Sequence, residues 1–265
     1  MEGNITGKKK ILWVIALAIS ITVFTACIIY FVADYLHYRS VNNIGANVSN
    51  EASLEINQPK KVDVPIDFKK LQEINKDIYA WIRIPYSNET EKFIADYPIL
   101  QSSKDEDRSY YLTHNVNRQT SAYGAIYTQN YNKKDFNDFN TLIYGHNMRN
   151  GTMFGTLKKY RDEKFFKENN EIIIYMPNRI LKYRIFAAYV FDDRHILLSF
   201  DFNNETERQL YLDTVFSERK LTANFEESLT VDTDDKIITL STCTSKDEER
   251  YLVQGVLVYD SNIGN

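Results

Sequence analysis

Between Ile11 and Ala33 the chain runs for 23 residues without a charged side chain, ILWVIALAISITVFTACIIYFVA. No other stretch constrains the architecture as strongly. As a helix rising 1.5 Å per residue it would be about 34 Å long, enough to cross a hydrocarbon layer of roughly 30 Å. Lys8, Lys9 and Lys10 flank it on one side, and Asp34, His37 and Arg39 on the other. The positive-inside rule therefore predicts a cytoplasmic N-terminus and an exported remainder. A cleaved signal peptide would carry an apolar region of about 7–15 residues ending at a small-residue site. Here the run is longer, and past a conceivable lipoprotein-type cysteine at Cys27 it continues to Ala33. An uncleaved anchor is the expectation.

That anchor organises the rest. Residues 1–10 read as a cytoplasmic tail, 11–33 as the transmembrane segment, 34–64 as an extracellular stalk and 65–265 as the functional domain. The stalk is polar and aperiodic, suited only to holding a domain away from a membrane. With 265 residues, 43 % of them hydrophobic, one main domain can bury a substantial core. A net charge of −4 suggests no broad basic surface and hence no nucleic-acid partner.

Within the domain, DFKKLQEINKDIYAW places Phe68, Leu71, Ile74, Ile78 and Trp81 at helical spacing, with Asp67 as a cap. Strand signals then dominate, at 81–86, 96–102, 124–130, 141–147, 171–176, 181–193, 236–243 and 251–260. These runs are short, rich in Ile, Val, Tyr and Phe, and divided by turn residues. Helices are expected at about 155–169 and 205–220, the second opening on a Thr206–Gln209 capping box. The simplest architecture is a closed or nearly closed β-barrel decorated by helices.

Only two cysteines occur, and Cys27 lies in the membrane run. Cys243 therefore has no intramolecular partner on the oxidising side of a membrane, where a thiol is either buried or used. It ends the strand KIITLSTC on the face shared with Thr239 and Ser241, opposite Ile238 and Leu240. That more polar face favours a used thiol. Six residues separate it from Arg250, which opens the next strand; a hairpin would set the two opposite each other. A guanidinium there can lower a thiol's pKa or stabilise an oxyanion, although a solvated loop arginine is the commoner case.

A nucleophilic thiol needs a proton carrier. His37 falls in the stalk, His114 in a turn and His195 after a strand, whereas His146 ends the apolar strand TLIYGHN. Strand-end placement singles out His146, while any one of these alone is more often a surface or satisfied histidine. No zinc-like ligand spacing occurs, and Asp232-Thr233-Asp234-Asp235 reads as a solvated turn rather than a calcium site.

Together the anchor, the β-rich exported domain, TLSTC with its following arginine, and YGHN resemble the sortases, membrane-anchored cysteine transpeptidases of Gram-positive bacteria. The likeness covers roughly residues 65–265. DFKKLQEINKDIYAWIRIP, DYPILQS followed by YYLTHN, the helix-bearing insertion around 205–220 and R-x-x-V-Q-G after the cysteine resemble class B. The resemblance implies an eight-stranded barrel with Cys243 as nucleophile, His146 as general acid and base, and Arg250 as oxyanion or substrate stabiliser. Ser241, Thr242 and Tyr144, on the motif segments, become substrate-binding candidates. It implies no metal or organic cofactor. The partners would be secreted proteins with a C-terminal NPxT-like sorting motif and a peptidoglycan-precursor amine. A pilin-polymerising or housekeeping sortase would share the chemistry, and an anchored binding domain with a buried Cys243 would lack it.

Overall fold

The computed structural model describes residues 62–103 and 107–262, together with residues 30, 32–34 and 36, which are helical. The tail, nearly all of the anchor and nearly all of the stalk lie outside the described residues. Among the described residues no helix is long and apolar enough to cross a membrane. The chain divides into two compact units, residues 1–51 and 52–265.

Among the described residues the second unit holds nine strands: β1 (Ile78–Tyr86), β2 (Glu89–Leu100), β3 (Ile126–Thr128), β4 (Asn140–Tyr144), β5 (Glu171–Met176), β6 (Arg179–Asp192), β7 (Asn224–Phe225), β8 (Ile237–Cys243) and β9 (Glu249–Asp260). They pair in the order β5-β1-β2-β3-β4-β8-β9-β6, and β5 also pairs with β6. This ring closes the expected eight-stranded barrel; β7, two residues long, merely extends β6 outward at Ala187–Ala188. Closure leaves no long edge exposed to pair with another chain.

The helices depart from expectation in instructive ways. Helix α1 spans only Phe68–Ile74, because Asn75 turns extended at φ −151° and ψ 115°. Its side chain then binds the Asp77 amide, the Tyr111 hydroxyl and the Val116 carbonyl. Ile78 and Trp81, at helical spacing in sequence, instead belong to β1. The anticipated helix at 155–169 is divided into a 3₁₀ turn, Leu157–Arg161, and α2, Glu163–Glu168. Asp162 separates them in an extended conformation, its carboxylate accepting from the Phe165 amide at 2.8 Å. A short α3 covers Ile196–Ser199, and α4 covers Glu205–Ser217. The cap of α4 is Asn204 rather than Thr206, and Gln209 donates to Asp213 instead of reaching back. Asn204 precedes the first turn in extended geometry, which lets its oxygen meet the Thr206 amide.

Strand β8 is buried on both sides. Ile238 and Leu240 face the barrel interior with Ile143 and Val253. Ile237 faces a second cluster with Leu142, Leu252 and, from α4, Tyr211, Leu212 and Val215. The more polar face is covered as well, with Thr239 and Ser241 both buried. Thr239 donates to Asn140 at 2.8 Å, and Gln254 donates to both Thr239 and the Tyr211 hydroxyl at 2.8 and 2.7 Å. A buried polar network satisfied in this way avoids the penalty of about 1–3 kcal/mol for each unpaired group.

At the far end of β9, Arg179 clasps Asp260 through two hydrogen bonds of 3.0 and 2.6 Å, with side chains 12 % and 4 % exposed. The Arg179 guanidinium holds the Asp260 carboxyl below the usual carboxylate range. A depressed folded-state pKa contributes stability above the unfolded pKa, near 3.9, and that contribution is lost as pH falls through the folded value. Arg179→Met should therefore lose about 3–5 kcal/mol at neutral pH, where it strands a buried carboxylate, and less in acid. Urea unfolding of both proteins at pH 7 and pH 3 measures the gap, and a pH-independent gap would exclude the ion pair as its cause.

Candidate active site

Parallel pairing of β4 with β8 sets the geometry of one barrel rim. Its register runs from Asn140 opposite Ile237 to Tyr144 opposite Ser241. Two residues beyond that last pair lie His146, past the end of β4, and Cys243, the last residue of β8, on the outer face that carries Ser241. The Gly145 amide continues the ladder by donating to the Ser241 carbonyl at 3.1 Å. Asn147 fastens the tip, its side-chain amide donating to the Cys243 carbonyl at 2.8 Å. From the other side β9 runs antiparallel and places Arg250 directly opposite Cys243. The hairpin thus pairs the thiol with the guanidinium, and the β4–β8 ladder ends at the rim just before the imidazole, about a hundred residues earlier in the chain.

Every residue of β8 is buried until Cys243, which is exposed and free. Strand packing thus stops where the thiol begins. Arg250 folds back on its own turn, with Nη1 donating to the Asp247 carbonyl at 2.7 Å and the Glu249 carbonyl at 3.0 Å. Burial pushes the pKa of the Tyr144 hydroxyl well up, and the charge of Arg250 offsets a small part of that rise. Tyr144 stacks on Tyr127 with ring centroids 5.3 Å apart. Burial pushes the Tyr127 hydroxyl up to about 12, and the nearby Cys243 adds to the rise. These two rings wall the outer face beside the thiol.

His146 Nε2 lies 2.6 Å from the Leu112 carbonyl. A carbonyl only accepts, so Nε2 carries the proton and the lone pair of the neutral ring sits on Nδ1. Close contact at Gly124 makes room for this arrangement. Its φ is +57°, and a Cβ there would come within 2.6 Å of the Leu112 carbonyl oxygen and 3.1 Å of His146 Cδ2.

The other candidates fall differently. Ser241 is 5 % exposed, beneath Cys243 on the outer face. Thr242, 4 % exposed, alternates to the inner face opposite Tyr251, and its hydroxyl is buried without a partner among the described residues. Its side chain is therefore not on the surface that carries Cys243. His114 stacks on Tyr110 at 3.9 Å, and His195 bonds Gln129 at 2.6 Å, its pKa lowered by burial. A cavity of about 770 Å³ opens beside the opposite ends of β4 and β8, between Phe139, Phe202 and Lys236. Sequence reasoning missed Asn147, Leu112, Gly124 and Tyr127. Asn147 was within reach, being the last letter of GHN; the other three act through a backbone carbonyl, a missing Cβ or a ring stack.

An accessible thiol, an imidazole with a defined lone pair and a guanidinium on one rim have the capacity for nucleophilic acyl transfer. A model of the sortase domain family matches residues 90–258. Sortase B of Listeria monocytogenes is 37 % identical over 199 residues, 74 % of this chain and 76 % of that protein. Sortase B of Staphylococcus aureus is 32 % identical over 178 residues, 66 % of this chain and 67 % of its own. The crystal structure of sortase B from Bacillus anthracis superposes with a TM-score of 0.68 at 29 % identity, covering 85 % of this chain and 98 % of that one.

Proposed function

Because the chain belongs to the sortase family, in its class B, and is a cysteine transpeptidase, we propose that Cys243, His146 and Arg250 carry its chemistry on an NPxT-like sorting motif. His146 takes the Cys243 thiol proton on Nδ1, the resulting thiolate adds to the threonine carbonyl carbon, and the developing oxyanion is met by the Arg250 guanidinium. The C–N bond then breaks, the departing amine takes a proton from His146, and a thioester remains on Cys243. In the second half an incoming amine, from a peptidoglycan precursor, loses a proton to His146 and attacks the thioester. The new amide forms as the thiolate leaves. Tyr144 and Ser241 border the substrate on the outer face, and Thr242 supports that strand end from the inner one. The protein acts as a single-pass anchored enzyme, its N-terminus cytoplasmic and its domain outside, where both substrates reside.

The observation that supports this reading is the pair of registers that sets Arg250 opposite Cys243 and ends the β4–β8 ladder at Tyr144 and Ser241, two residues before His146 and Cys243. It is tested with the full-length protein in detergent, given quenched fluorescent peptides bearing NPxT- or LPxT-type motifs, with and without a diaminopimelate or oligoglycine amine. Cleavage after threonine with at least about tenfold preference for NPxT is expected, with ligated product when the amine is present. Preference for LPxT would overturn the motif assignment, and cleavage of neither would overturn the substrate class.

A further inference from the structure

The Leu112 carbonyl that receives His146 belongs to a 3₁₀ turn, Tyr110–Leu112, whose own Leu112 side chain is 40 % exposed and anchors nothing. The neighbouring Tyr111 is fully buried and holds the turn. Its backbone carbonyl accepts from the Ala125 amide at 2.8 Å. Its hydroxyl donates to Asp77 Oδ2 at 2.6 Å and accepts from the Asn75 side-chain amide at 2.9 Å. Arg118 closes the cluster from outside, Nη2 lying 3.0 Å from Asn75 Oδ1 and 3.4 Å from Asp77 Oδ2. Asp77, itself 7 % exposed, stands at the entry to β1, whose first residue Ile78 is level, through Leu100 and Tyr127, with Tyr144 and Ser241 at the end of the barrel that carries the thiol. Every member is held by another. In a buried setting such mutual bonding fixes orientation more firmly than the same bonds would in water.

We propose that Asp77 and Tyr111 are positioning residues for His146: through the Leu112 carbonyl they keep the ring's proton on Nε2 and its lone pair on Nδ1. The order of action is Asp77 to Tyr111, Tyr111 to the turn, and the turn's carbonyl to the ring. Without the anchor the turn shifts, Nε2 loses its acceptor, and the neutral ring divides between two tautomers, only one of which presents a lone pair at Nδ1. The functional consequence rests on His146 as the proton carrier proposed above; the tautomer itself does not.

The test uses full-length protein labelled with ¹⁵N-histidine, comparing wild type with Tyr111→Phe and Arg118→Ala. The second change lies on a half-exposed side chain and spares the core if the first fails to fold. Long-range ¹H–¹⁵N spectra report the tautomer, with His146→Ala identifying the resonance. Wild type should show the Nε2–H form alone and the variants a mixture. Their kcat should fall by about 10- to 100-fold, as when the group behind a metal-bound histidine is removed. KM should stay within about twofold, since an interaction made only in the transition state is lost. Folded variants with wild-type kcat and a single tautomer would overturn the proposal. So would a loss of kcat matched by the unfolded fraction with the tautomer unchanged. Should His146→Ala retain full activity, the acid–base reading fails while the tautomer comparison still tests the positioning network.

Discussion

Cys243→Ala should leave the full-length protein folded and without measurable transpeptidation, a fall of more than about 10⁴-fold in kcat/KM. The covalent route divides one amide exchange into two acyl transfers, and without a thiol neither half has a nucleophile. Stability should change by no more than about 0.5 kcal/mol, because the side chain is exposed and its neighbours do not depend on it. The contact that fixes the strand tip uses the Cys243 backbone carbonyl, which alanine retains. Chromatographic assay of peptide and amine ligation, beside urea unfolding, measures both quantities. Residual ligation above a few thousandths of wild type would mean that another group attacks the substrate.

His146→Ala should cost about 10²–10⁴ in kcat/KM on an amide substrate. The leaving amine needs a proton as the C–N bond breaks, and His146 is the residue at this rim with a lone pair and proton fixed by a carbonyl partner. A thioester substrate makes a sharper comparison. Its thiolate departs without protonation, so acylation by a thioester should fall less in the variant than acylation by the amide. Burst-phase measurements on matched amide and thioester substrates give the contrast. Equal losses on both would mean that His146 does not protonate the leaving amine.

Much of this site is written in short-range sequence signals. The Cys243–Arg250 pairing follows from a six-residue connection between two strand-like runs, because a hairpin leaves little freedom of register. The His146–Cys243 juxtaposition does not follow in that way. It depends on parallel pairing of β4 with β8, which in a closed barrel is set by every intervening strand. The family resemblance supplied that relation where the residues alone left other histidines open.

Other errors share one physical origin, tertiary partners that a local pattern does not carry. Ile78 and Trp81 continue a helical spacing from Phe68, yet Asn75 stops the helix because Tyr111 and Val116 supply partners for its amide. Thr239 and Ser241 make up the more polar face of their strand. Both are buried, and Tyr211 of α4 and Gln254 complete the hydrogen bonds of the Thr239–Asn140 pair. The carbonyl that meets His146 is invisible in sequence, since every residue has one. Only the fold says that it belongs to Leu112.

The most direct measurement is intact-mass spectrometry of the full-length enzyme mixed with an NPxT-type peptide, without an amine acceptor, and quenched in acid during turnover. The expected species is heavier by the peptide's acyl portion through threonine, and digestion should map the addition to Cys243. Turnover with no adduct, or with the adduct on another residue, would contradict the assignment of Cys243 as the attacking group.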